Sequence, residues 1–268
     1  MPIALPEIVD SHCHLDFPEL EKDIDNVISR AKERGVSKFV TICTKEENLE
    51  KVISLAESFE EIYFAFGLHP MSVSDSSQIS LESLIKASKH PKMVGIGESG
   101  LDYYYTLETK EQQIESLITH IVAARETKLP LIIHSRNADE DMEKILVGEF
   151  IREPFKCVMH CFSSGEKLAR ITTELGFYLS MSGIVTFPKS ENLRKIFSKI
   201  DKNLILLETD SPYLAPVPNR GKRNEPAFTA DTAKVGAEIF KLSEYDFRQL
   251  TTENFYTLFE KVGKTQLG

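Results

Sequence analysis

Short apolar segments alternate with longer amphipathic segments along nearly the whole chain, and this alternation constrains the fold more than any other feature. Eight apolar runs have the length of a strand and are bounded by turn residues: 7–12, 38–43, 63–68, 93–98, 130–134, 156–160, 177–181 and 203–209. Strands that are apolar on both faces are typical of parallel sheets covered by helices. The alternation therefore predicts repeated strand–helix units.

The segments between these runs have the periodicity of amphipathic helices. We expect helices at 22–33, 46–58, 81–88, 111–127, 140–150, 165–174 and 192–200, and two more at 230–240 and 244–262. Eight strand–helix units in about 250 residues is the usual size of a TIM barrel. Because no linker or shift in composition marks a boundary, the sequence predicts a single α/β domain over 1–268, a (β/α)8 TIM barrel. Two doubly wound halves are the alternative.

Composition excludes several other classes of protein. Hydrophobic residues make up 41% and charged residues 27% of the 268 residues, which argues against intrinsic disorder. No apolar stretch approaches the roughly 18 residues of a membrane span, residues 1–11 lack the pattern of a secretory signal, and the four cysteines form no CxxC pair. We therefore expect a cytoplasmic protein without membrane association. The net charge of −9 argues against nonspecific coating of nucleic acid.

Ionisable side chains stand at or just past the C-terminal end of six of the eight runs: His12 and His14, His69, Glu98, His134, His160, and Glu208 with Asp210. TIM barrels build their active sites at this rim. Five of the seven histidines therefore fall at one predicted rim. We expect the other two, His90 and His120, at the surface.

The residue types at this rim are those of a metal site. His12 and His14 are separated by one residue, so both imidazoles point to the same face of a strand. Four imidazoles and one carboxylate suit zinc, manganese or a similar divalent ion, and they come from His12, His14, His134, His160 and Asp210. Glu98 has two carboxylate oxygens and could bridge two ions. The pattern predicts a binuclear hydrolase centre.

Six stretches carry a resemblance to a known family: VDSHCHLD at 9–16, FGLHP at 66–70, GIGESGLDYY at 95–104, LPLIIHSRNADED at 129–141, MHCFSSG at 159–165 and LLETDSPYLAPVPNRGKRNEP at 206–226. In these motifs the chain resembles the TatD-type deoxyribonucleases, which are metal-dependent hydrolases with an amidohydrolase-type TIM barrel. The resemblance implies that fold and magnesium-dependent 3′→5′ exonuclease activity on DNA. Met71 and Ser164 depart from the family pattern.

The same resemblance assigns the metal ligands. It implies one metal held by His12, His14, Glu98 and Asp210, and a second held by Glu98, His134 and His160. A site bridged by a carbamylated lysine is not expected, because strand four ends in Glu98 and Lys92 lies at its other end. The identity of the two divalent ions stays open among magnesium, manganese and zinc.

We expect Asp210, Glu98 and Glu208 to be the catalytic residues of a phosphodiester hydrolase. Asp210 is the candidate general base, because a metal ligand can accept the proton of the attacking water. Glu208 either tunes Asp210 or fixes the tautomer of a metal-binding histidine. An ion pair between Glu208 and a lysine inside the barrel is the alternative.

Substrate contacts are expected from aromatic and cationic side chains near the rim: His69, Arg136, Tyr103, Arg220, Lys222 and Arg223. Arginine can grip a phosphate with two hydrogen bonds, and a tyrosine ring can stack on a base. Each group has a structural alternative: His69 could cap the loop at Pro70, Tyr103 could pack over the barrel mouth, and the 220–223 loop could be a solvated turn.

The expected substrate is DNA, at single-stranded ends, and no obligate protein partner is evident. An amide, ester or aminoacyl-ester hydrolase with the same centre is the alternative, because fold does not decide the bond that is cut. A noncatalytic metal-binding scaffold is disfavoured, since structural sites usually close one metal with four ligands.

Overall fold

The computed structural model of the protein describes residues 5–73 and 78–263. Its strands form one parallel eight-stranded sheet whose spatial order follows the sequence order. They are β1 (Ile8–Cys13), β2 (Val36–Cys43), β3 (Ile62–Phe66), β4 (Met93–Asp102), β5 (Leu131–Arg136), β6 (Cys157–Met159), β7 (Tyr178–Met181) and β8 (Ile205–Leu207). Every strand overlaps a predicted run. β4 continues beyond the predicted end at 98, and β8 ends before the predicted end at 209.

Helices connect the strands and cover the outside of the sheet. They are α1 (Pro18–Glu21), α2 (Ile24–Glu33), α3 (Leu49–Ser58), α4 (Leu81–Ser88), α5 (Lys110–Thr127), α6 (Asp139–Arg152), α7 (Glu166–Glu174), α8 (Glu191–Phe197), α9 (Thr229–Phe240) and α10 (Glu244–Leu258). The predicted helices are all present, whereas α1 is too short to show a periodicity. Within 5–73 and 78–263, no helix has the length and apolar character needed to cross a membrane.

The sheet curls into a nearly closed barrel, because the ends of β1 and β8 come together. The backbone N–H of Asp210 donates to the carbonyl oxygen of His12 at 2.9 Å, and that of His14 donates to Ser211 at 2.8 Å. In a doubly wound sheet the strand order reverses at a switch point, and here it does not. The prediction of a (β/α)8 TIM barrel is confirmed, and the doubly wound alternative is wrong.

The barrel interior is apolar toward the N-terminal ends of the strands. One buried cluster receives a side chain from every strand, including Val9, Val40, Ile132 and Leu206. Aromatic and aliphatic residues of α10 and the turn after it, such as Phe255, complete this cluster. A larger apolar cluster fills the layer between strands and helices. With this end of the barrel filled, polar side chains are left for the opposite end.

Glycines in β4 allow a close approach of β4 to β5. Gly97 has a φ of +121°, and a Cβ there would lie 2.5 Å from the carbonyl oxygen of Ile132. A Cβ at Gly100, whose φ is +150°, would overlap the carbonyl oxygen of His134. Only glycine adopts this backbone readily. The two glycines therefore bring Glu98, which lies between them, next to the end of β5.

His120 is fully buried on α5, so the prediction that it lies at the surface is wrong. Its Nδ1–H donates to the carbonyl oxygen of Ser116 at 2.7 Å, and its Nε2 accepts from the backbone N–H of Leu68 at 3.1 Å. Both bonds require the neutral ring, and burial lowers the pKa of His120 to about 4. His120 thereby fixes the backbone immediately before His69.

Replacing this ring should make the stability of the protein less sensitive to acid. The unfolded imidazole titrates at its ordinary pKa of 6.5 and the folded one at about 4, so the unfolded state takes up the proton first as the pH falls. Between pH of about 7.5 and about 5, the free energy of unfolding of the parent should fall by about 2 kcal/mol more than that of His120→Gln. Urea unfolding in a chelator at both pH values measures this.

The matched control is His90→Gln, which removes a partly exposed histidine beside Glu57. This variant should keep the pH dependence of the parent chain. If His120→Gln also kept it, the buried ring would not be the group that titrates.

Candidate metal centre

Seven ionisable side chains meet at the C-terminal ends of the strands. Three lie on strands, two follow strands directly, and two lie three residues past a strand end; they are His12, Glu98 and His134, then His14 and His160, and finally His69 and Asp210. The register of β1 against β2 shifts between Asp10 and Cys13. Past this shift, the rings of His12 and His14 lie 5.2 Å apart and both approach Asp210.

Glu98 is the centre of this cluster and is only 2% exposed. Its Oε1 lies 2.9 Å from Nε2 of His160, 3.1 Å from Nδ1 of His134 and 3.4 Å from Nε2 of His69. Its Oε2 lies 3.4 Å from Nε2 of His12. Burial acts to raise the pKa of Glu98, but the surrounding imidazoles hold that pKa well below its ordinary range. The two oxygens therefore belong to an ionised carboxylate with histidines on both sides.

Asp210 completes the side of the cluster that holds His12 and His14. Its Oδ1 lies 3.4 Å from Nε2 of His14 and 3.7 Å from Nε2 of His12. The residue has a φ of +56°, a left-handed conformation that aspartate tolerates better than most residues. Burial acts to raise the pKa of Asp210, while the nearby imidazoles, His14 foremost, bring that pKa below its ordinary value.

Several buried ring nitrogens in the cluster have no hydrogen-bond partner. Both nitrogens of His12 and Nδ1 of His14 make no hydrogen bond to any residue that the structure describes. Nitrogen and oxygen ligands lie about 2.0–2.2 Å from zinc, which places tetrahedral ligands roughly 3.4 Å from one another. The separations of 2.9–3.7 Å between the facing atoms match this spacing. The cluster therefore fits divalent ions.

Three overlapping groups of side chains could each hold an ion. They are His12, Glu98 and His160; His12, His14 and Asp210; and His69, Glu98 and His134. Glu98 belongs to two of these groups, as expected of a bridging carboxylate. The third group includes His69, which we expected to contact substrate rather than metal.

Two further carboxylates lie against the outer nitrogens of the histidines. Oε1 of Glu208 lies 3.2 Å from Nδ1 of His160 and accepts the backbone N–H of Cys161 at 2.6 Å. Oδ2 of Asp102 lies 3.0 Å from Nε2 of His134. Such a carboxylate fixes the ring orientation of a metal-binding histidine. Of the alternatives for Glu208, the structure supports the contact with a histidine and not the ion pair with a lysine.

Asp102 was missed by the sequence analysis because the predicted strand ended at Glu98. Strand β4 in fact extends to Asp102. Its carboxylate also accepts the backbone N–H groups of Tyr104 and Tyr105, at 3.0 and 2.9 Å. The even spacing of Asp102 from Glu98 is the signal that could have identified it, since residues four apart on a strand share a face.

His69 caps the loop at Pro70, which was the alternative to its predicted contact with substrate, and it also faces Glu98. Its Nδ1 accepts the backbone N–H of Met71 at 3.2 Å, which caps the short helical turn Pro70–Ser72. Its Nε2 faces Oε1 of Glu98 at 3.4 Å. Burial lowers the pKa of His69 despite the nearby carboxylate. The ring is therefore a neutral group held at the edge of the cluster.

A cavity of about 800 Å³ opens above the cluster. Its lining includes the rings of Phe17 and Tyr213, whose centres lie 6.1 Å apart, and the ring of Tyr105. The guanidinium of Arg136 lies over the exposed rings of Tyr104 and Tyr105, 4.3 and 4.6 Å from their centres. The mouth of this cavity, which we call the metal cavity, thus combines flat rings with a cation.

Two predicted substrate contacts lie elsewhere. The hydroxyl of Tyr103 donates to Oδ2 of Asp141 at 3.0 Å, and its ring lines a neighbouring cavity rather than the metal cavity. Arg223 donates to Glu225 at 3.0 Å and to the carbonyl oxygen of Glu19 at 2.7 Å. Both side chains have structural contacts that the sequence pattern could not reveal.

The other cations of the 220–223 loop are exposed. The guanidinium of Arg220 lies 4.4 Å from the centre of the Phe187 ring, and Lys222 forms no ion pair with any described residue. A cation that the sequence analysis missed, Lys45, lines the metal cavity just past β2 and also has no acidic partner among the described residues. Its position two residues beyond a strand end was the available signal.

Comparison with known proteins is consistent with this geometry. The family model of the TatD related DNases matches residues 9–260. The chain is 40% identical over 257 residues to YcfH of Escherichia coli (strain K12), named as an uncharacterized metal-dependent hydrolase, and the match covers 94% of this chain and 95% of YcfH. YabD of Bacillus subtilis (strain 168), which carries the same description, is 36% identical over 252 residues, with 94% and 98% covered.

Solved structures support the same relationship. The crystal structure of YjjV, a TatD homologue from Escherichia coli K12, has a TM-score of 0.88 and 31% sequence identity to this chain. The match covers 94% of this chain and 98% of YjjV. Because the family model spans nearly the whole chain and its relatives share this length, the chain belongs to the TatD-related DNase family and is a metal-dependent hydrolase.

Proposed function

We propose that the protein is a phosphodiesterase that removes nucleotides from the 3′ ends of single-stranded DNA with two divalent ions. The observation that carries the proposal is the position of Glu98, whose two oxygens face separate sets of imidazoles beneath a cavity lined by aromatic and cationic side chains. The direction of cleavage and the choice of DNA rest on the resemblance to the family. Magnesium, manganese and zinc all suit this mixed nitrogen and oxygen ligand set.

In this proposal, one ion is held by His12, His14, Glu98 and Asp210, and the other by Glu98, His134 and His160. His69 lies within reach of the second set. When bound, two such ions lower the pKa of a water and neutralise the charge that develops on the phosphate and the leaving oxygen. The role of the chain is to hold these ligand side chains in one arrangement.

The carboxylates around the centre have different roles. Asp210 is ionised and uses Oδ1 toward the histidines, so its Oδ2 can accept the proton of the attacking water. Glu208 and Asp102 hold His160 and His134 through their outer nitrogens. Glu208 therefore acts by positioning His160 and does not act on the substrate.

Phosphate and base contacts come from the mouth of the metal cavity. Arg136 carries a guanidinium that can donate two hydrogen bonds to one phosphate. The rings of Tyr105, Phe17 and Tyr213, which line this cavity, can stack on bases regardless of sequence. An acyl ester has neither a phosphate for Arg136 nor a base for these rings. We therefore favour phosphodiester hydrolysis over the amide or ester alternative.

The function is tested with end-labelled single-stranded DNA beside a panel of acyl esters, each with magnesium, manganese or zinc. We expect mononucleotides to be released from the 3′ end and the esters to remain intact. Asp210→Asn keeps the shape of the side chain and should lower kcat at least about 100-fold, as expected when a general base is removed. Ester hydrolysis without DNA cleavage would refute the proposal, and equal turnover by Asp210→Asn would remove Asp210 from the mechanism.

The bridging role of Glu98 is tested by metal content. Glu98→Ala should lose both ions, because this carboxylate faces both sets of histidines, whereas His160→Ala should weaken mainly one. Elemental analysis after gel filtration measures the ions per chain. His90→Ala, which removes a histidine outside the centre, is the control and should retain the parent content. Two tightly bound ions in Glu98→Ala would show that the bridge is assigned wrongly.

The cationic loop can be dissected by its salt dependence. If Arg220 and Lys222 contact phosphates, replacing both with alanine should flatten the slope of log binding constant against log salt by roughly 1.4 units for single-stranded DNA. Arg223→Ala should leave this slope unchanged, because its guanidinium is already paired with Glu225. Fluorescence anisotropy in a chelator measures binding without turnover. An unchanged slope in the double variant would make the loop a solvated turn.

A further inference from the structure

A second, larger cavity lies beside the metal cavity and has no role in the function proposed above. It has a volume of about 1440 Å³ and is bounded by the loop from β5 to α6, the loop from β6 to α7, and one face of α8. Ser135, Arg136 and Ser163 line both cavities, so the two are continuous. We call this second cavity the rim groove. Small-molecule pockets are typically about 300–1,000 Å³, so the rim groove has room for an extended ligand.

The lining of the rim groove is polar and cationic. Five cations line it: Lys110, Arg136, Lys144, Lys195 and Lys199. Four acids line it as well: Asp139, Glu140, Asp141 and Glu166. Serine and asparagine side chains fill the spaces between them. The groove thus has a slight excess of positive charge in a chain whose net charge is −9, and it is rich in hydrogen-bond donors.

Two of the four acids in the rim groove, Asp139 and Asp141, hold its walls. Oδ2 of Asp139 accepts the backbone N–H of Gly165 at 2.9 Å, which ties the two loops together. Asp141 accepts the hydroxyl of Tyr103 and pairs with Lys110 at 2.6 Å. The charge of Asp141 is therefore compensated by Lys110, and the bond of Asp139 to Gly165 preforms the groove.

Arg136, Lys195 on α8 and Lys199 just past the end of α8 supply the cations that remain available. Arg136 stands where the two cavities meet and forms no ion pair within the described residues. Lys195 pairs only with Glu191, and both side chains are largely exposed, at 65% and 70%. Lys199 pairs in the same way with Glu166 at 2.7 Å, and these side chains are also exposed. An exposed pair of this kind contributes little energy. Lys195 can therefore exchange its partner for an anionic ligand at small cost.

The chemistry of the rim groove suits a sugar–phosphate backbone better than bases. Proteins contact phosphates and sugars through lysine, arginine, serine and asparagine side chains, and these contacts carry no sequence information. Among its lining residues in the described part of the chain, Tyr103 is the single aromatic ring, and the ammonium of Lys110 lies over this ring, 5.2 Å from its centre. Stacking platforms of the kind found at the mouth of the metal cavity are thus missing from the groove.

We propose that the rim groove binds the backbone of the strand on the 5′ side of the bond that is cut, entering past Arg136 and running along α8. This inference rests on the proposed function, because it assumes that a phosphodiester occupies the metal cavity. It makes the protein selective for strands of several nucleotides over dinucleotides, with no preference for sequence. The scissile end and the remainder of the strand are then bound by separate sets of residues.

The test measures kcat/KM for single-stranded oligonucleotides from two to about sixteen nucleotides, a range that covers known single-strand site sizes. In the parent, kcat/KM should rise with length and then level off. The variant Lys195→Gln/Lys199→Gln should lower the ratio between the longest substrate and the dinucleotide by about tenfold, as expected when two surface charge contacts are lost. The control Lys86→Gln/Lys89→Gln removes two exposed lysines at the C-terminal end of α4, outside both cavities.

The outcomes separate the two proposals. If the parent cleaves the dinucleotide and the long strands with equal kcat/KM, or if the α8 variant keeps the parent ratio, the rim groove does not bind the strand while the proposed function stands. If the parent cleaves neither substrate with any of the three metals, both proposals fail. If the α4 control lowers the ratio of kcat/KM between the longest substrate and the dinucleotide as much as the variant of Lys195 and Lys199 does, the effect comes from overall charge. That result would refute binding of the strand in the rim groove.

Discussion

The buried carboxylate of Glu98 is the constraint around which the rest of the molecule is arranged. A carboxylate that leaves water loses several kcal/mol of solvation, and only close positive charge or hydrogen bonds can offset this loss. The nearest compensating groups here are imidazoles from the ends of β1, β3, β5 and β6. Four strands must therefore end at one point, and a closed parallel barrel does this because all its strands end at the same rim.

Two local devices make this convergence possible. The first is the pair of glycines around Glu98, since Gly97 and Gly100 have no side chain and let β4 approach the backbone of β5. The second is the pair of outer carboxylates, which select different nitrogens. Glu208 contacts Nδ1 of His160 and leaves its Nε2 for the centre, whereas Asp102 contacts Nε2 of His134 and leaves its Nδ1. The two histidines are therefore not equivalent, because His160 presents Nε2 and His134 presents Nδ1 to Glu98.

The sequence predicted the architecture and the cluster because both depend on position along a strand. Apolar runs located all eight strands, and their ends located every side chain now found around Glu98. What it missed depended on tertiary contacts. His120 lies on a helix whose periodicity gave no reason to bury a histidine, and its burial follows from the Leu68 amide across the structure. Asp102 was hidden because strand length cannot be read from apolar residues when a strand ends in polar ones.

The roles of the arginines also depend on tertiary contacts that the sequence does not show. These contacts distinguish an arginine that binds substrate from one that stabilises the fold. From sequence, Arg136 and Arg223 were both candidates for a phosphate contact. In the fold, Arg223 joins a network with Glu225 and Asp23 that ties the segment after β8 to the region around α2. Arg136 instead rests on two tyrosine rings, and a ring face orients a guanidinium without neutralising its charge. A cation that is held but unpaired is prepared for an anion that arrives later, and in an acidic chain such cations determine where a negatively charged substrate can bind.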